Sequence, residues 1–101
     1  MIITINEADR VEILTLQDNY IELGSGDDTE MLQRARPLKG LEMKNSILAE
    51  HGFSAIVTVS MVGKPQSILF DFGFSEYGAA SNADALDADL TEVEAMALSH
   101  G

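Results

Sequence analysis

The sequence predicts an α/β (α+β) domain built on a mixed β-sheet with flanking helices. Three observations carry that prediction. Residues 11–16 and 53–61 alternate with a period of two and are rich in β-branched side chains, as strands with two different faces require. The segment 67–70 is a continuous apolar run after Ser67 and follows the second run across a turn. The tail then reads strand, helix, strand, the order of an α/β unit.

In chain order, residues 2–5 form a short candidate strand, and residues 6–10 a polar turn into the next. In residues 11–16, Val11, Ile13 and Thr15 share one face and Glu12, Leu14 and Leu16 the other. Residues 24–40 hold three glycines, Pro37 and the pair Asp27-Asp28, which predicts a long surface loop. Residues 43–51 allow two helical turns, with Met43, Ile47 and Leu48 on one face and Gly52 as the stop.

In the strand 53–61, Phe53, Ala55, Val57, Val59 and Met61 line one face and Ser54, Ile56, Thr58 and Ser60 the other. Val62-Gly63-Lys64-Pro65 is turn chemistry, so this strand and 67–70 should form a hairpin. The unbroken apolar run Ile68-Leu69-Phe70 within 67–70 predicts burial on both faces. Phe72-Gly73 then breaks the strand. Ser81 or Asn82 is positioned to cap a helix through about Asp89. Thr91-Glu92-Val93-Glu94 fits a capping box with Thr91 at the cap. A final strand follows at 95–98.

Composition limits the functional classes. At 101 residues the chain is one domain at most. It is 46% hydrophobic and only 6% aromatic, with no Trp, so its core must be largely aliphatic. Its net charge is −11, and from His51 onward seven acids face a single base, Lys64. Nucleic acid is therefore excluded as an expected ligand, because neutralising phosphates takes clustered Lys and Arg. An anionic membrane surface is disfavoured for the same reason. Cysteine is absent, which rules out disulfides and thiolate metal ligands. The first residues lack the basic region of a secretory signal, and no apolar run approaches the ~18 residues of a membrane span. A cytoplasmic protein is expected.

The candidate site residues cluster at predicted strand ends. His100 follows the final strand, and a histidine delivered there is placed where sites tend to form. Asp71 ends the strand 67–70, where a carboxylate can accept backbone bonds in a turn or orient a metal-binding loop. His51 lies in Glu50-His51-Gly52, as a helix-end histidine near the favourable end of the dipole or as a direct metal ligand. Asp18 and Asn19 end the strand 11–16 in a turn. The acids Asp84, Asp87, Asp89, Glu92 and Glu94 lack the glycine and ligand spacing of a calcium loop and read as a solvated face. Gly24-Ser25-Gly26 is followed by Asp27-Asp28, whose charge would repel a nucleotide phosphate.

Together these segments resemble the metallo-β-lactamase superfamily, in particular its dihydropterin-ribofuranosyl-aminobenzene-phosphate-synthase-like metal-dependent hydrolases. Val11-Glu12-Ile13-Leu14-Thr15-Leu16-Gln17-Asp18-Asn19-Tyr20 is similar to the family's first strand with its terminal Asp-Asn pair. Leu48-Ala49-Glu50-His51-Gly52-Phe53-Ser54 is similar to its Ala-Glu-His-Gly segment. Ile68-Leu69-Phe70-Asp71-Phe72-Gly73 resembles its strand ending in Asp-Thr-Gly, with Phe72 in place of the small hydroxyl residue. Asp89 through Gly101 resembles the strand that leads into the HxHxDH signature, of which only the first histidine, His100, is present.

The resemblance implies the amino-terminal half of an αββα sandwich. The complete protein would be a metal-dependent hydrolase holding one or two divalent metals, zinc above all. It would act on a small-molecule substrate through a metal-bound hydroxide. His100 would be the first metal ligand and Asp71 a support for the metal loops, with His51, Asp18 and Asn19 near the mouth. No tightly bound metal is expected on this chain alone, because the remaining ligands would be encoded downstream, and the chain by itself should be inactive. Half of such a sandwich exposes an apolar face and open strand edges. The expected cover is a second copy of the chain or the carboxy-terminal half. The alternatives are a non-catalytic half-fold that serves binding or assembly, and a small α+β protein whose resemblance is accidental.

Overall fold

The period-two segments enter a sheet. The computed structural model describes residues 1–21, 28–34 and 47–101, and the backbone of residues 38–39 and 42–43. Its elements are β1 (Arg10–Gln17), β2 (Leu38–Lys39), β3 (Glu42–Met43), β4 (Ser54–Met61), β5 (Lys64–Phe70), α1 (Gly78–Ala85), a 3₁₀ turn (Leu90–Glu92) and β6 (Ala95–Ala97). The main sheet runs β1-β4-β5-β6, and β2 and β3 pair separately. β1, β4 and β5 are antiparallel neighbours, whereas β6 runs parallel to β5. The mixed sheet and the strand–helix–strand tail are therefore present. Among the described residues the flanking helices reduce to α1 and the 3₁₀ turn.

Each element has a local cause. The β4–β5 hairpin closes on Val62 and Gly63, both with positive φ (53° and 73°), the backbone of a tight two-residue turn. Lys64 and Pro65, expected in the turn, instead pair with Met61 and Ser60. A left-handed valine is unfavourable, and its amide is held by a 2.7 Å bond to the Asp9 carboxylate. α1 begins at Gly78, earlier than Ser81 or Asn82, and Tyr77 at its cap makes no side-chain capping bond. The Ser75 hydroxyl accepts from the Gly78 amide instead, at 3.0 Å.

The helix also stops before Asp89. Asp87 turns left-handed, Ala88 N–H donates to Ala83 C=O and Asp87 N–H to Asp84 C=O, the paired bonds of a Schellman ending. Asp89, not Thr91, caps the 3₁₀ turn, accepting from the Thr91 amide and hydroxyl at 2.9 and 2.6 Å. The Thr91 hydroxyl and then its amide hold the Asp89 carboxyl below its usual range.

Two further expectations change. Residues 2–5 form no strand, and Ile2, Ile3 and Ile5 are exposed. Of the predicted helix 43–51, Met43 lies in β3, 44–46 fall outside the described residues, and 47–51 are not helical. Their backbone bonds go elsewhere: Leu48 and Glu50 donate to the Asn82 side chain and to Asp18 C=O. Parts of the predicted 24–40 loop also fall outside the described residues.

The core lies on one face of the sheet. Leu16, Ile56 and Leu69 pack with Ala83 of α1, joined by Leu14, Leu86, Ala88, Leu90 and Val93. β5 is thus covered on the Leu69 side, while Ile68 on the other side stays 36% exposed, so the expected two-sided burial is not reached.

Candidate functional site

One end of the sheet gathers the carboxy ends of β1, β5 and β6 and the start of β4, because Gln17 pairs with Ser54, Ala55 with Phe70, and Phe70 with Ala97. All five sequence-selected residues fall at this end, in two hydrogen-bonded groups.

The first group is Asp71, Ser99 and His100. Asp71 continues the parallel ladder by one bond, its amide donating to Ala97 C=O at 2.9 Å. It then turns left-handed at φ 52°, a conformation that Asp tolerates better than most residues. The turn aims its carboxylate across at the residue after Leu98. Oδ1 accepts from the Ser99 amide at 2.8 Å and Oδ2 from the Ser99 hydroxyl at 2.7 Å. Ser99 Oγ lies 2.7 Å from His100 Nδ1. With the hydroxyl proton committed to the carboxylate, Oγ is left to accept from Nδ1–H, and Nε2 is the ring nitrogen that Ser99 does not engage. The Ser99 amide, then its hydroxyl, then the nearby His100 hold the Asp71 carboxyl below its usual range. Asp71 thus fixes the segment that presents His100.

The second group is Asp18, Asn19 and residues 50–52. Asp18 Oδ1 accepts from the Asn19 amide at 2.7 Å, which closes a local turn. Asn19 Oδ1 accepts from Gly52 N–H at 2.9 Å. Gly52 has φ +119°, and a Cβ there would meet the Phe74 backbone nitrogen at 2.8 Å, so only glycine fits. His51 is not at a helix end. It is exposed and stands edge-on to Phe74, ring centres 5.8 Å apart. The two groups adjoin through backbone: Gly73 N–H donates to Phe53 C=O at 2.9 Å, and the Ser54 hydroxyl to Asp71 C=O at 2.8 Å.

Beneath the second group lies a polar knot that sequence patterning missed. A bulge between Thr15 and Gln17 places both Leu16 and Gln17 in buried positions. The fully buried Asn82 donates to Leu16 C=O and Leu48 C=O at 2.8 Å and to Gln17 Oε1 at 3.1 Å. It also accepts from Leu48 N–H at 2.8 Å. Gln17 Nε2 donates to Leu48 C=O at 3.2 Å. Glu50 Oε1 accepts from the Ser75 hydroxyl at 2.7 Å and crowds Gly78, which ties residues 47–52 to the start of α1. The only hint in the sequence is a Gln that continues the strand past Leu16.

A second unforeseen feature is aromatic. All six aromatic residues, Tyr20, Phe53, Phe70, Phe72, Phe74 and Tyr77, lie at or just beyond the strand ends on this side, together with both histidines.

A metal fits this end only in part. Among the described residues no three His, Cys, Asp or Glu side chains come together as a metal would need. Both Asp71 oxygens are engaged by Ser99. The described residues offer one oriented imidazole and no complete donor set. Comparison with family models, curated proteins and solved structures finds no match for this chain.

Proposed function

We propose that this chain is the amino-terminal portion of a metal-dependent hydrolase of the metallo-β-lactamase superfamily, and that alone it is inactive. The single observation that supports this reading most is the carboxylate, hydroxyl and imidazole relay at the β5 and β6 ends. There Asp71 holds Ser99 through two bonds and Ser99 engages Nδ1 of His100. Histidines that ligate metals are commonly oriented through the other ring nitrogen in this way. In the complete protein His100 would be a metal ligand and Asp71 its positioning residue. His51, Asp18 and Asn19 would line the approach to a small-molecule substrate. The remaining ligands for zinc or other divalent ions would have to be supplied from beyond these residues.

The second reading is a non-catalytic binding or assembly module, and the bare apolar sheet face favours it. Two measurements separate the readings. Coding sequence continuing past Gly101 with His-x-Asp-His supports the hydrolase, and its absence favours the module. In a zinc titration followed by the His100 ring protons, the 101-residue chain should respond only at millimolar metal. A stoichiometric micromolar site would contradict the incomplete-site reading.

A further inference from the structure

The sheet has a second face that no described element covers. Val11 and Ile13 of β1, Val57 and Val59 of β4, and Ile68 and Phe70 of β5 share it, as their register pairs show. Ile13 is 66% exposed and Val11 55%. From the level of Val59 to that of Phe70 no position on this face is charged, in a chain of net charge −11.

We propose that this face packs against the same face of a second copy, forming a two-layer sheet sandwich with two-fold symmetry. Three arguments select a copy. The first is area: Val11, Ile13 and Ile68 are 55%, 66% and 36% exposed, Thr15, Gln66 and Ala95 on the same face are exposed too, and together with the half-buried Val57, Val59 and Phe70 they leave roughly 500–600 Å² per copy, below the ~800 Å² per partner of a standard-size interface but enough for a concentration-dependent pair. The second is charge. Two copies this acidic repel wherever acids meet, and a charge-free face lets them close with the acids held at the rim. The third is shape. Rows of β-branched side chains on a twisted sheet interdigitate with a like face, since sheets pack face to face about 10 Å apart, and a two-fold contact uses one patch twice. The proposal concerns the 101-residue chain and does not rest on the hydrolase reading.

Sedimentation equilibrium of the 101-residue chain between 1 and 100 µM tests it, read as a mass of twice 10.9 kDa. Ile13→Asp should weaken the dimer at least a hundredfold while the far-ultraviolet circular dichroism stays folded. Glu12→Gln, on the opposite face of the same strand, should leave it unchanged. Should Ile13→Asp fail to fold, Ile13→Thr keeps the β-branch and should still weaken the dimer about tenfold. A wild-type monomer throughout the range overturns the proposal. So does a mass that grows without limit, because a two-fold pair is closed, or a dimer that Ile13→Thr and Ile13→Asp leave intact.

Discussion

The two faces of the main sheet come from the same strands, yet they differ in almost every respect. On one, Leu16 and Leu69 are 2% and 8% exposed beneath α1 and its following turn. On the other, Ile13 and Ile68, each the neighbour of a core residue's strand position, stand open. Strand alternation alone would assign both faces similar apolar content. The difference lies in what the chain supplies to cover them: the helix, the 3₁₀ turn and the polar knot all sit on the Leu16 side. One face folds the domain, and the other stays uncovered by any described element. The lesson is that apolar alternation predicts which residues share a face, not which face becomes the interior.

Substitutions sharpen this contrast, and the largest effect belongs to the knot. Asn82→Ala removes a buried side chain that makes four bonds and leaves Leu48 N–H, Leu16 C=O and Gln17 short of partners. The cost of orphaned buried groups sets the expectation at about 3 kcal/mol or more in urea unfolding, with residues 47–52 released from α1. Next comes a matched pair across the sheet. Leu69→Ala on the covered face should cost about 2–3 kcal/mol. Ile13→Thr on the open face should stay within about 0.5 kcal/mol when measured at sub-micromolar protein, where copies are apart. Equal costs for the two would erase the distinction between faces.

The sequence made much of this legible. The alternation at 11–16 and 53–61 and the hairpin are period and turn signals that tertiary packing left intact, and the final strand follows the helix as its order in the chain suggested. The helix expected over 43–51 does not form at 47–51, because Leu48 and Glu50 spend their backbone bonds on Asn82 and Asp18, partners 34 and 32 positions away, which no local pattern encodes. Asn82 looked like a cap because Asn is a good cap; its burial at 0% exposure is decided by what lies opposite, which no local pattern encodes. At the candidate site, Asp71 and His100 were visible as strand-end residues. Ser99 between them was not, because a serine after a strand carries no signal until the neighbouring strand brings a carboxylate to it. The gathering of all aromatics at one end likewise depends on topology.

The smallest predicted effect concerns pH at the site end. Asp71 has a folded pKa below the ordinary aspartate value of 3.8. A depressed carboxyl contributes stability that is present above its unfolded value and is lost as pH falls through the folded one. The Ser99 and His100 segment should therefore stay docked above about pH 4 and loosen on further acidification. Amide exchange of Ser99 at pH 7 and pH 3 reads this directly. In Asp71→Asn, Ser99 should exchange faster already at pH 7, with little added acid sensitivity. An Asp71 carboxyl that titrates at or above its ordinary value by NMR would contradict the relay.

The division of labour between the two faces is tested most directly by the concentration dependence of thermal unfolding. A chain whose open face is closed by a second copy melts at a temperature that rises with protein concentration, by mass action. From 1 to 100 µM the wild-type midpoint should climb by several degrees, and that of Ile13→Asp should stay flat. A wild-type midpoint that does not move across this range would contradict the assignment of that face to association.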